Sequence, residues 1–370
     1  MNVSEGTVTC FNEKGELNFD YTYIGLCGIK DYDIFWNILE SLPLFNSLSD
    51  VHVLSEMLKS VELKFEMVTK WLDMGNSAEL MKAVNYFGSE IEVLEKKDEF
   101  IYFFDDFVIK FFADSTVSKN RVTRAKSLHS LVPEILGSSS NFYKYAKVRG
   151  ELFSKSVTEK SFIKFLKWSQ ENLWISRNKN NFEDDCKKFY IDKTNDRVHL
   201  YLNENYDCST VNGEELPPIF DLLNEVDYDW LSRGVPSQYH GDFILDNVIE
   251  TSSGFCLIDW RQDFAGDLEI GDVYYDLAKL NHNLTVSHPI VDQGLYSPSP
   301  ENCYIMHTST LVACKKILHK FIINNGYDLR KVELLTAIIW LNMAPLHAYP
   351  LNSFLYNFGK YSLNKVLKKD

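Results

Sequence analysis

The stretch YHGDFILDNVIE (Tyr239–Glu250) places several polar side chains in an otherwise apolar segment. A segment that only fills a hydrophobic core would not carry so many polar groups, because buried polar groups need hydrogen-bond partners. Three of them, His240, Asp242 and Asn247, form the pattern H-G-D-x-x-x-x-N. An isolated His-Gly-Asp is more often a turn, so the functional interpretation depends on Asn247 and on the residues that follow it.

A second acidic residue follows at a spacing that brings it close to Asn247. Asp259 stands twelve residues later, and the segment between them predicts a hairpin with strands Val248–Glu250 and Phe255–Ile258. Such a hairpin would fold Asp259 back beside Asn247. Two oxygen ligands brought together in this way suit Mg²⁺, and Asp242 would lie nearby, able to accept a proton from a hydroxyl group.

Together with the later segment GDVYYDLAKL (Gly271–Leu280), these residues carry a family resemblance. The succession H-x-D-x-x-x-x-N, I-D-x and G-D-x-x-Y-D-L-A resembles that of the aminoglycoside phosphotransferase and choline kinase family over roughly forty positions. That family has a protein-kinase-like fold and transfers a phosphoryl group from a nucleotide to an alcohol.

The resemblance assigns a role to each matching residue. Asp242 would be the catalytic base, and Asn247 and Asp259 would bind Mg²⁺. His240 would be a hydrogen-bonded structural member of the loop, and Asp276 would support the catalytic loop from behind. These roles agree with the chemistry of phosphoryl transfer, which needs positioning and charge neutralisation more than covalent catalysis.

The resemblance also requires a lysine that holds the phosphates of the nucleotide, ATP or GTP. The run DFVIKFFAD supplies Lys110 with apolar neighbours on both sides. The alternative for Lys110 is an edge lysine whose ammonium group reaches solvent. Downstream, FYKYAKVRGELFSK is similar to the segment that joins the two lobes, with backbone groups between Lys147 and Gly150 facing the purine ring.

Two departures from the family pattern concern the phosphates. The segment VLEKKDEFIYF (Val93–Phe104), which would cover the phosphates, contains no glycine. The sequence after Lys110 predicts a helix capped by Ser115 or Ser118. This helix contains no glutamate that could pair with Lys110. Glu134 is the first candidate beyond it. Either Lys110 is anchored differently or phosphate binding is weakened. The alternative function is therefore a pseudokinase-type module that binds nucleotide or docks a partner without turnover.

The first eighty residues show a separate resemblance. The pattern W-x-D-x-G-N, formed by Trp71, Asp73, Gly75 and Asn76, resembles the closing portion of a sugar-nucleotide nucleotidyltransferase. It implies a remnant or docking piece, a nucleotidyltransferase as one alternative partner, and a role in the biosynthesis of cell-surface polysaccharides or lipid headgroups. In the same region, the pattern predicts a strand over Tyr21–Ile29 and a helix from Asp31.

Composition narrows the function classes. The chain has 370 residues, 45% hydrophobic, with a formal net charge of −14. This balance argues against nucleic acid or an anionic membrane surface as a general partner. The seven cysteines show no C-x-x-C pair, which argues against a zinc site or disulfide framework. A polar N-terminus and the lack of an apolar run of about 18 residues predict a cytoplasmic protein without signal peptide or membrane span.

We therefore predict an α+β chain with a two-lobed protein-kinase-like fold after a small α/β segment. The predicted parts are 1–82 (nucleotidyltransferase-like), 85–147 (small lobe of antiparallel sheet plus helix) and 148–370 (mainly helical large lobe). The predicted activity is Mg²⁺-dependent transfer of the γ-phosphoryl group of ATP or GTP to a small-molecule alcohol of sugar or amino-alcohol type. An acidic loop that contains Asp263, Asp267 and Glu269 could bind a cationic substrate, although a solvated loop is the favoured interpretation.

Overall fold

The computed structural model describes residues 1–12, 18–43, 49–68, 70–76, 79–80, 82–83, 86, 92–96 and 98–368. The chain divides into two compact units, an N-terminal unit of residues 1–89 and a C-terminal unit of residues 90–370. No helix within the described ranges is long and apolar enough to cross a membrane.

The N-terminal unit combines a hairpin with two helices. Strands β1 (Asn2–Ser4) and β2 (Thr7–Cys10) pair antiparallel, followed by helices α1 (Tyr32–Ser41) and α2 (Asp50–Met57). The strand predicted over Tyr21–Ile29 is wrong, because this segment has irregular backbone. Its apolar residues Tyr23 and Ile29 pack against the buried face of α2, so their spacing reflects this packing rather than a strand ladder. The sequence also predicts a helix after the turn at Gly75 and Asn76, capped near Ser77, and this helix falls largely outside the described residues.

The C-terminal unit begins with an antiparallel sheet of five strands in the order β3-β4-β5-β7-β6. Their bounds are β3 (Glu92–Lys96), β4 (Glu99–Phe103), β5 (Phe107–Phe112), β6 (Ile135–Ser138) and β7 (Phe142–Ala146). Along β5, Val108, Lys110 and Phe112 are buried and alternate with partly exposed residues, because successive side chains of a strand point to opposite faces. Lys110 therefore lies on the core face of the central strand and is not an edge lysine.

Helix α3 (Ser115–Leu128) follows β5. The Asp114 carboxylate, and not Ser115 or Ser118, caps it by accepting a hydrogen bond of 2.8 Å from the backbone N–H of Thr116. This corrects the predicted cap by one residue. It agrees with the preference of Asp for the position before the first helical turn.

The rest of the unit is mainly helical and carries the loop His240–Asn247, which the sequence predicts to be the catalytic loop. Its helices are α4 (Phe153–Ser156), α5 (Glu159–Asn172), α6 (Phe182–Lys187), α7 (Lys193–Leu202), α8 (Ile219–Asn224), α9 (Tyr228–Ser232), α10 (Val273–Asn283), α11 (His288–Asp292), α12 (Ser309–Asn324), α13 (Leu329–Met343) and α14 (Leu351–Leu367). Its short strands are β8 (Glu151–Leu152), β9 (Thr210–Val211), β10 (Glu214–Glu215), β11 (Pro236–Ser237), β12 (Val248–Thr251), β13 (Gly254–Leu257), β14 (Gly271–Asp272), β15 (Tyr296–Ser297) and β16 (Tyr304–Ile305). A π-helical turn, Lys188–Asp192, joins α6 to α7.

The predicted hairpin is present as β12 and β13, with Val248 opposite Leu257 and Thr251 opposite Gly254. Strand β8 extends it to three strands and approaches it closely at Gly150. A Cβ atom on Gly150 would lie 2.3 Å from the carbonyl oxygen of Glu250. Only glycine avoids this clash, because it has no Cβ atom. The predicted α+β class, an antiparallel sheet with one helix followed by a mainly helical part, is confirmed.

Candidate active site

Asp276 holds the turn at the start of the catalytic loop. Its two carboxylate oxygens accept hydrogen bonds from the backbone N–H groups of His240 at 2.8 Å and Gly241 at 2.7 Å. The indole N–H of Trp174 donates to the same carboxylate at 3.1 Å. Burial raises the pKa of Asp276 to about 6, although the hydrogen bonds from both backbone groups act in the opposite direction. The carboxylate therefore lies behind the loop, where it can position the backbone but cannot reach solvent.

The His240 ring is fully buried and neutral. Its Nδ1 accepts a hydrogen bond of 3.2 Å from the backbone N–H of Asp242, and its Nε2 lies 3.0 Å from the carbonyl oxygen of Ile258. Both contacts are made only if Nε2 carries the proton and donates it to the carbonyl. Burial lowers the pKa of His240 to about 4, so the ring joins the loop to the end of β13 as a fixed hydrogen-bonding unit.

Asp242 is held between an amide and a lysine. Asn247 Nδ2 donates to Asp242 Oδ2 at 3.0 Å, and Lys279 Nζ on α10 lies 2.7 Å from Asp242 Oδ1. The Asp242 side chain is still 38% exposed, so a substrate can reach it. Burial raises the pKa of this carboxyl, but the Lys279 ammonium group more than offsets it, and the pKa falls to about 2. Asp242 is therefore ionised at neutral pH.

Lys110 and Asp259 meet across 149 residues of sequence. Lys110 Nζ lies 2.7 Å from Asp259 Oδ1 and 3.0 Å from Glu99 Oε1 on the neighbouring strand β4. Arg121 of α3 donates to the same Asp259 oxygen. Burial lowers the pKa of Lys110, but the Asp259 carboxylate outweighs this and the pKa is raised above its usual value. Lys110 is therefore a charged, buried group that is held from two sides.

Of the two alternatives for Lys110, its contact with Glu99 supports a different anchor. Lys110 pairs with Ile101 in the sheet, and Glu99 is two residues from Ile101 on the same strand and therefore on the same face. The partner comes from the strand before Lys110 instead of the helix after it. The helix contributes Arg121 and Arg124 in place of an acidic residue.

Arg124 ties α3 to the catalytic loop. Its guanidinium group is buried and donates to the carbonyl oxygens of Tyr239 at 2.6 Å, His240 at 3.3 Å and Leu268 at 3.1 Å, and also to that of Arg261. The guanidinium also lies 4.0 Å from the centre of the Tyr239 ring. One side chain therefore satisfies several carbonyl groups that border the site.

Solved structures of small-molecule kinases share similarity with this chain. A streptomycin–ATP complex of the aminoglycoside phosphotransferase APH(2'')-IIa is 14% identical and has a TM-score of 0.44, over 75% of this chain and 92% of that chain. A Plasmodium vivax ethanolamine kinase is 12% identical with a TM-score of 0.42, over 88% and 96%. A choline/ethanolamine kinase family protein of Mesorhizobium loti is 10% identical with a TM-score of 0.44, over 75% and 88%. No family model and no curated protein matches the chain.

The donor set at the end of the hairpin is compatible with Mg²⁺. The backbone N–H of Ile258 donates to the carbonyl oxygen of Asn247 at 2.9 Å, which places the Asn247 and Asp259 side chains at the same end of β12 and β13. Asn247 uses its Nδ2 for its hydrogen bonds to Asp242, and no described residue donates to its Oδ1. In the described ranges no three His, Cys, Asp or Glu side chains form a metal cluster. These residues fit an ion that takes one or two protein oxygens and completes its shell with phosphates and water.

The residues of the second resemblance belong to the N-terminal unit. Trp71, Asp73, Gly75 and Asn76 are exposed. Asp73 Oδ1 accepts a hydrogen bond of 2.9 Å from the backbone N–H of Gly75, which forms a local turn. This geometry accounts for the spacing of Asp73 and Gly75 without a ligand.

Proposed function

We propose that the protein is a small-molecule kinase that transfers the γ-phosphoryl group of ATP or GTP to an alcohol. The observation that carries the proposal is the convergence of Lys110, Asp242, Asn247 and Asp259 from two distant parts of the chain. A buried lysine, an ionised carboxylate and two oxygen donors are the groups that in-line phosphoryl transfer needs.

In this proposal, side chains of the protein position the acceptor alcohol and accept the proton of its hydroxyl group. Asp242 Oδ2 or Oδ1 accepts the proton of the attacking hydroxyl group. A base with a pKa of about 2 is sufficient, because the loose transition state of phosphoryl transfer places little demand on early proton removal. Lys279 and Asn247 fix the orientation of Asp242, and Asp276 and His240 fix the backbone that carries it.

On the nucleotide side, Lys110 binds phosphate oxygens and Glu99 holds its ammonium group in place. Mg²⁺, held by Asn247 and Asp259, would supply neutralisation of the phosphate charge. Lys96 pairs with Glu99 at one end of β3 and β4. This end of the sheet, instead of a glycine-rich loop, would lie over the phosphates.

The proposal is tested by phosphate transfer from Mg-ATP and Mg-GTP to a panel of sugars, hydroxy acids and amino alcohols. We expect Asp242→Asn to lower turnover by about 10²–10⁴-fold, the usual contribution of a general base. The affinity for Mg-nucleotide, measured by calorimetry, should stay within about twofold because Asp242 does not hold the nucleotide. Asp184→Asn, an exposed carboxylate on α6, is the matched control. Wild type that binds no nucleotide would overturn the proposal.

A second candidate function is a nucleotide-binding or partner-docking module without turnover. The contact that favours it is the bond from Arg121 to the Asp259 oxygen that Lys110 also holds, because these cations compete with Mg²⁺. Arg121→Gln separates the two functions. If the protein is a kinase, the variant retains turnover or gains Mg²⁺ affinity, whereas nucleotide binding without transfer in both proteins supports the module.

For the N-terminal unit, we propose that residues 1–82 dock onto a nucleotidyltransferase in the biosynthesis of a surface polysaccharide or headgroup. Its support is the exposure of Trp36, Trp71 and Met74, since exposed apolar patches often mark interaction surfaces. The test is co-purification with a nucleotidyltransferase chain from the same cells. Loss of that chain on Trp36→Ser supports the proposal, and recovery of the same amount of that chain contradicts it.

In the proposed kinase, residues 85–147 would form the small lobe and residues 148–370 would form the large lobe.

A further inference from the structure

Three basic side chains, Lys279, Lys193 and Arg261, form a cluster that begins at Asp242. Lys279 contacts Asp242 directly at 2.7 Å. Lys193, the first residue of α7, places its Nζ 3.4 Å from the hydroxyl oxygen of Tyr275, which is one helical turn before Lys279 on α10. Lys193 therefore adds a second basic group near Lys279, on the side of Lys279 that faces Tyr275.

Arg261 joins this cluster from the other side. Its Cζ lies 4.9 Å and Lys193 Nζ lies 4.7 Å from the centre of the same Phe189 ring. The Arg261 backbone N–H donates to the His240 carbonyl oxygen at 3.0 Å, and a Cβ atom on Gly241 would lie only 2.6 Å from the Arg261 Cβ. Arg261 thus lies against the residue that directly precedes Asp242.

Only Lys279 in this cluster forms an ion pair with a carboxylate among the described residues, the one with Asp242. Among the described residues, no carboxylate forms an ion pair with Lys193 or Arg261, whose hydrogen bonds go to a tyrosine hydroxyl and a carbonyl group. Burial, followed by the charges of Arg261 and Lys279, lowers the pKa of Lys193 well below its usual value. The pKa of Arg197 is also lowered, by burial and by Arg261. Cations grouped in this way without a counterion repel each other and destabilise the folded protein. A bound anion would therefore stabilise the site.

The nearby acidic loop does not offer the opposite charge. Asp267 forms ion-paired contacts with Lys179 and accepts hydrogen bonds from the backbone N–H groups of Glu269 at 2.7 Å and Ile270 at 2.8 Å. Asp263 Oδ1 accepts one of 3.1 Å from the backbone N–H of Gly266. These contacts are local to the loop, and among the described residues no carboxylate of this loop forms an ion pair with Lys193 or Arg261.

We propose that the acceptor alcohol carries an anionic group, a carboxylate or a phosphate, which binds beside Asp242 between Lys193, Arg261 and Lys279. The inference rests on the proposed kinase function and narrows its acceptor from sugars and amino alcohols in general to acidic ones. The π-helical turn before Lys193 supports it, because such turns often occur at functional sites and here bring Phe189 and Lys193 to the loop.

The test measures binding to the full-length chain with Mg²⁺ and a non-hydrolysable ATP analogue present, so that nucleotide phosphates already fill their own positions. The probes are inorganic phosphate and four alcohols with the same three-carbon skeleton: glycerol, serinol, D-glycerate and sn-glycerol 3-phosphate. The last two distinguish a carboxylate from a phosphate. The variants are Lys193→Met and the control Lys188→Met, an exposed lysine of the same segment.

We expect at least one anionic alcohol and inorganic phosphate to bind wild type and Lys188→Met equally. Lys193→Met should bind them about tenfold more weakly, as for loss of one charge-assisted hydrogen bond. Anions that bind all three proteins equally, or that do not bind wild type, would overturn the inference. Phosphorylation of glycerol or serinol in preference to the anions would overturn it while the kinase function stands. Absence of binding of the analogue itself would instead refute the kinase function.

A second measurement needs no variant and so does not depend on folding of Lys193→Met. Lysine acetylation by an amine-reactive ester at neutral pH is followed at Lys193 and Lys188 by mass spectrometry. Inorganic phosphate should protect Lys193 severalfold and leave Lys188 unchanged, because an ion-paired ammonium group is a poor nucleophile. Equal labelling of Lys193 with and without phosphate would contradict an anion site.

Discussion

Replacement of Gly150 by alanine tests the close contact between the segment after the sheet and the β12–β13 hairpin, which joins Asn247 to Asp259. A Cβ atom at this position would lie 2.3 Å from the carbonyl oxygen of Glu250 and 2.7 Å from Ile249 Cγ2. An ordinary carbon–oxygen contact is about 3.3 Å or longer, so the strands would have to separate by roughly 1 Å. The carbonyl is part of the backbone of β12 and cannot rotate away as a side chain would.

The expected cost follows from this geometry. Overpacking of a rigid site typically costs about 1–3 kcal/mol, partly offset by about 0.4–1 kcal/mol from the lower entropy of the unfolded chain. Because β12 starts directly after Asn247, its displacement should also weaken Mg-nucleotide binding. Gly137→Ala on β6 is the control, since a Cβ atom there meets no atom within 4 Å.

The two variants are compared by urea unfolding, by hydrogen exchange of peptides that contain β8 and β12, and by calorimetric titration with Mg-nucleotide. Gly150→Ala should lower the unfolding midpoint and speed exchange in both strands, whereas Gly137→Ala should match wild type or be slightly more stable. Equal stability, exchange and nucleotide affinity in the two variants would show that the close approach of Gly150 to β12 has no energetic role.

Three further predictions concern the buried polar groups. Because the pKa of His240 is about 4 in the folded chain and its ordinary value is 6.5, its neutral form stabilises the fold above pH 6.5. As the pH decreases from 6.5 to 4, the free energy of unfolding should therefore fall more in wild type than in His240→Gln, by up to about 3 kcal/mol. Parallel pH curves of the two proteins would refute this. Glu99→Gln should weaken Mg-nucleotide binding by about tenfold in calorimetry, because Lys110 loses one of its anchors; unchanged affinity would exclude that role. Arg124→Met should lower the free energy of unfolding by about 3 kcal/mol, since buried carbonyl groups lose their donor, while the exposed Arg149→Met should change it by less than about 0.5 kcal/mol.

The local parts of the fold could be predicted from the sequence because short-range chemistry determines them. The turn residues between Thr251 and Gly254 indicated the β12–β13 hairpin, and the apolar run around Lys110 indicated a strand, which is present as β5. The strand predicted over Tyr21–Ile29 was wrong because apolar spacing does not distinguish a strand from an irregular segment that packs on a helix.

The partners of the candidate site residues depend on pairs that are distant in sequence. Glu99 reaches Lys110 through the strand register, and Arg121 reaches Asp259 across 138 residues. Lys279 is separated from Asp242 by the β12–β13 hairpin, the loop that follows it, β14 and part of α10. A single sequence does not encode such pairs in any local pattern. Glu99 alone had a usable signal, since it lies two residues from the position opposite Lys110 once β4 and β5 are paired.

The contacts of α3 have a consequence for motion within the C-terminal unit. Although α3 follows β5 in the chain, Arg124 binds carbonyl groups around the catalytic loop, Trp260 donates to the Arg121 carbonyl at 2.8 Å, and Gln238 donates to that of Ser127 at 2.8 Å. The helix therefore contacts β5, β6 and β7 of the sheet and is also hydrogen-bonded to the segments Gln238–His240 and Trp260–Arg261. A shift of β5 relative to these segments, which would change the distance from Lys110 to Asp259, would have to bend the chain between Phe112 and Ser115 or break these hydrogen bonds.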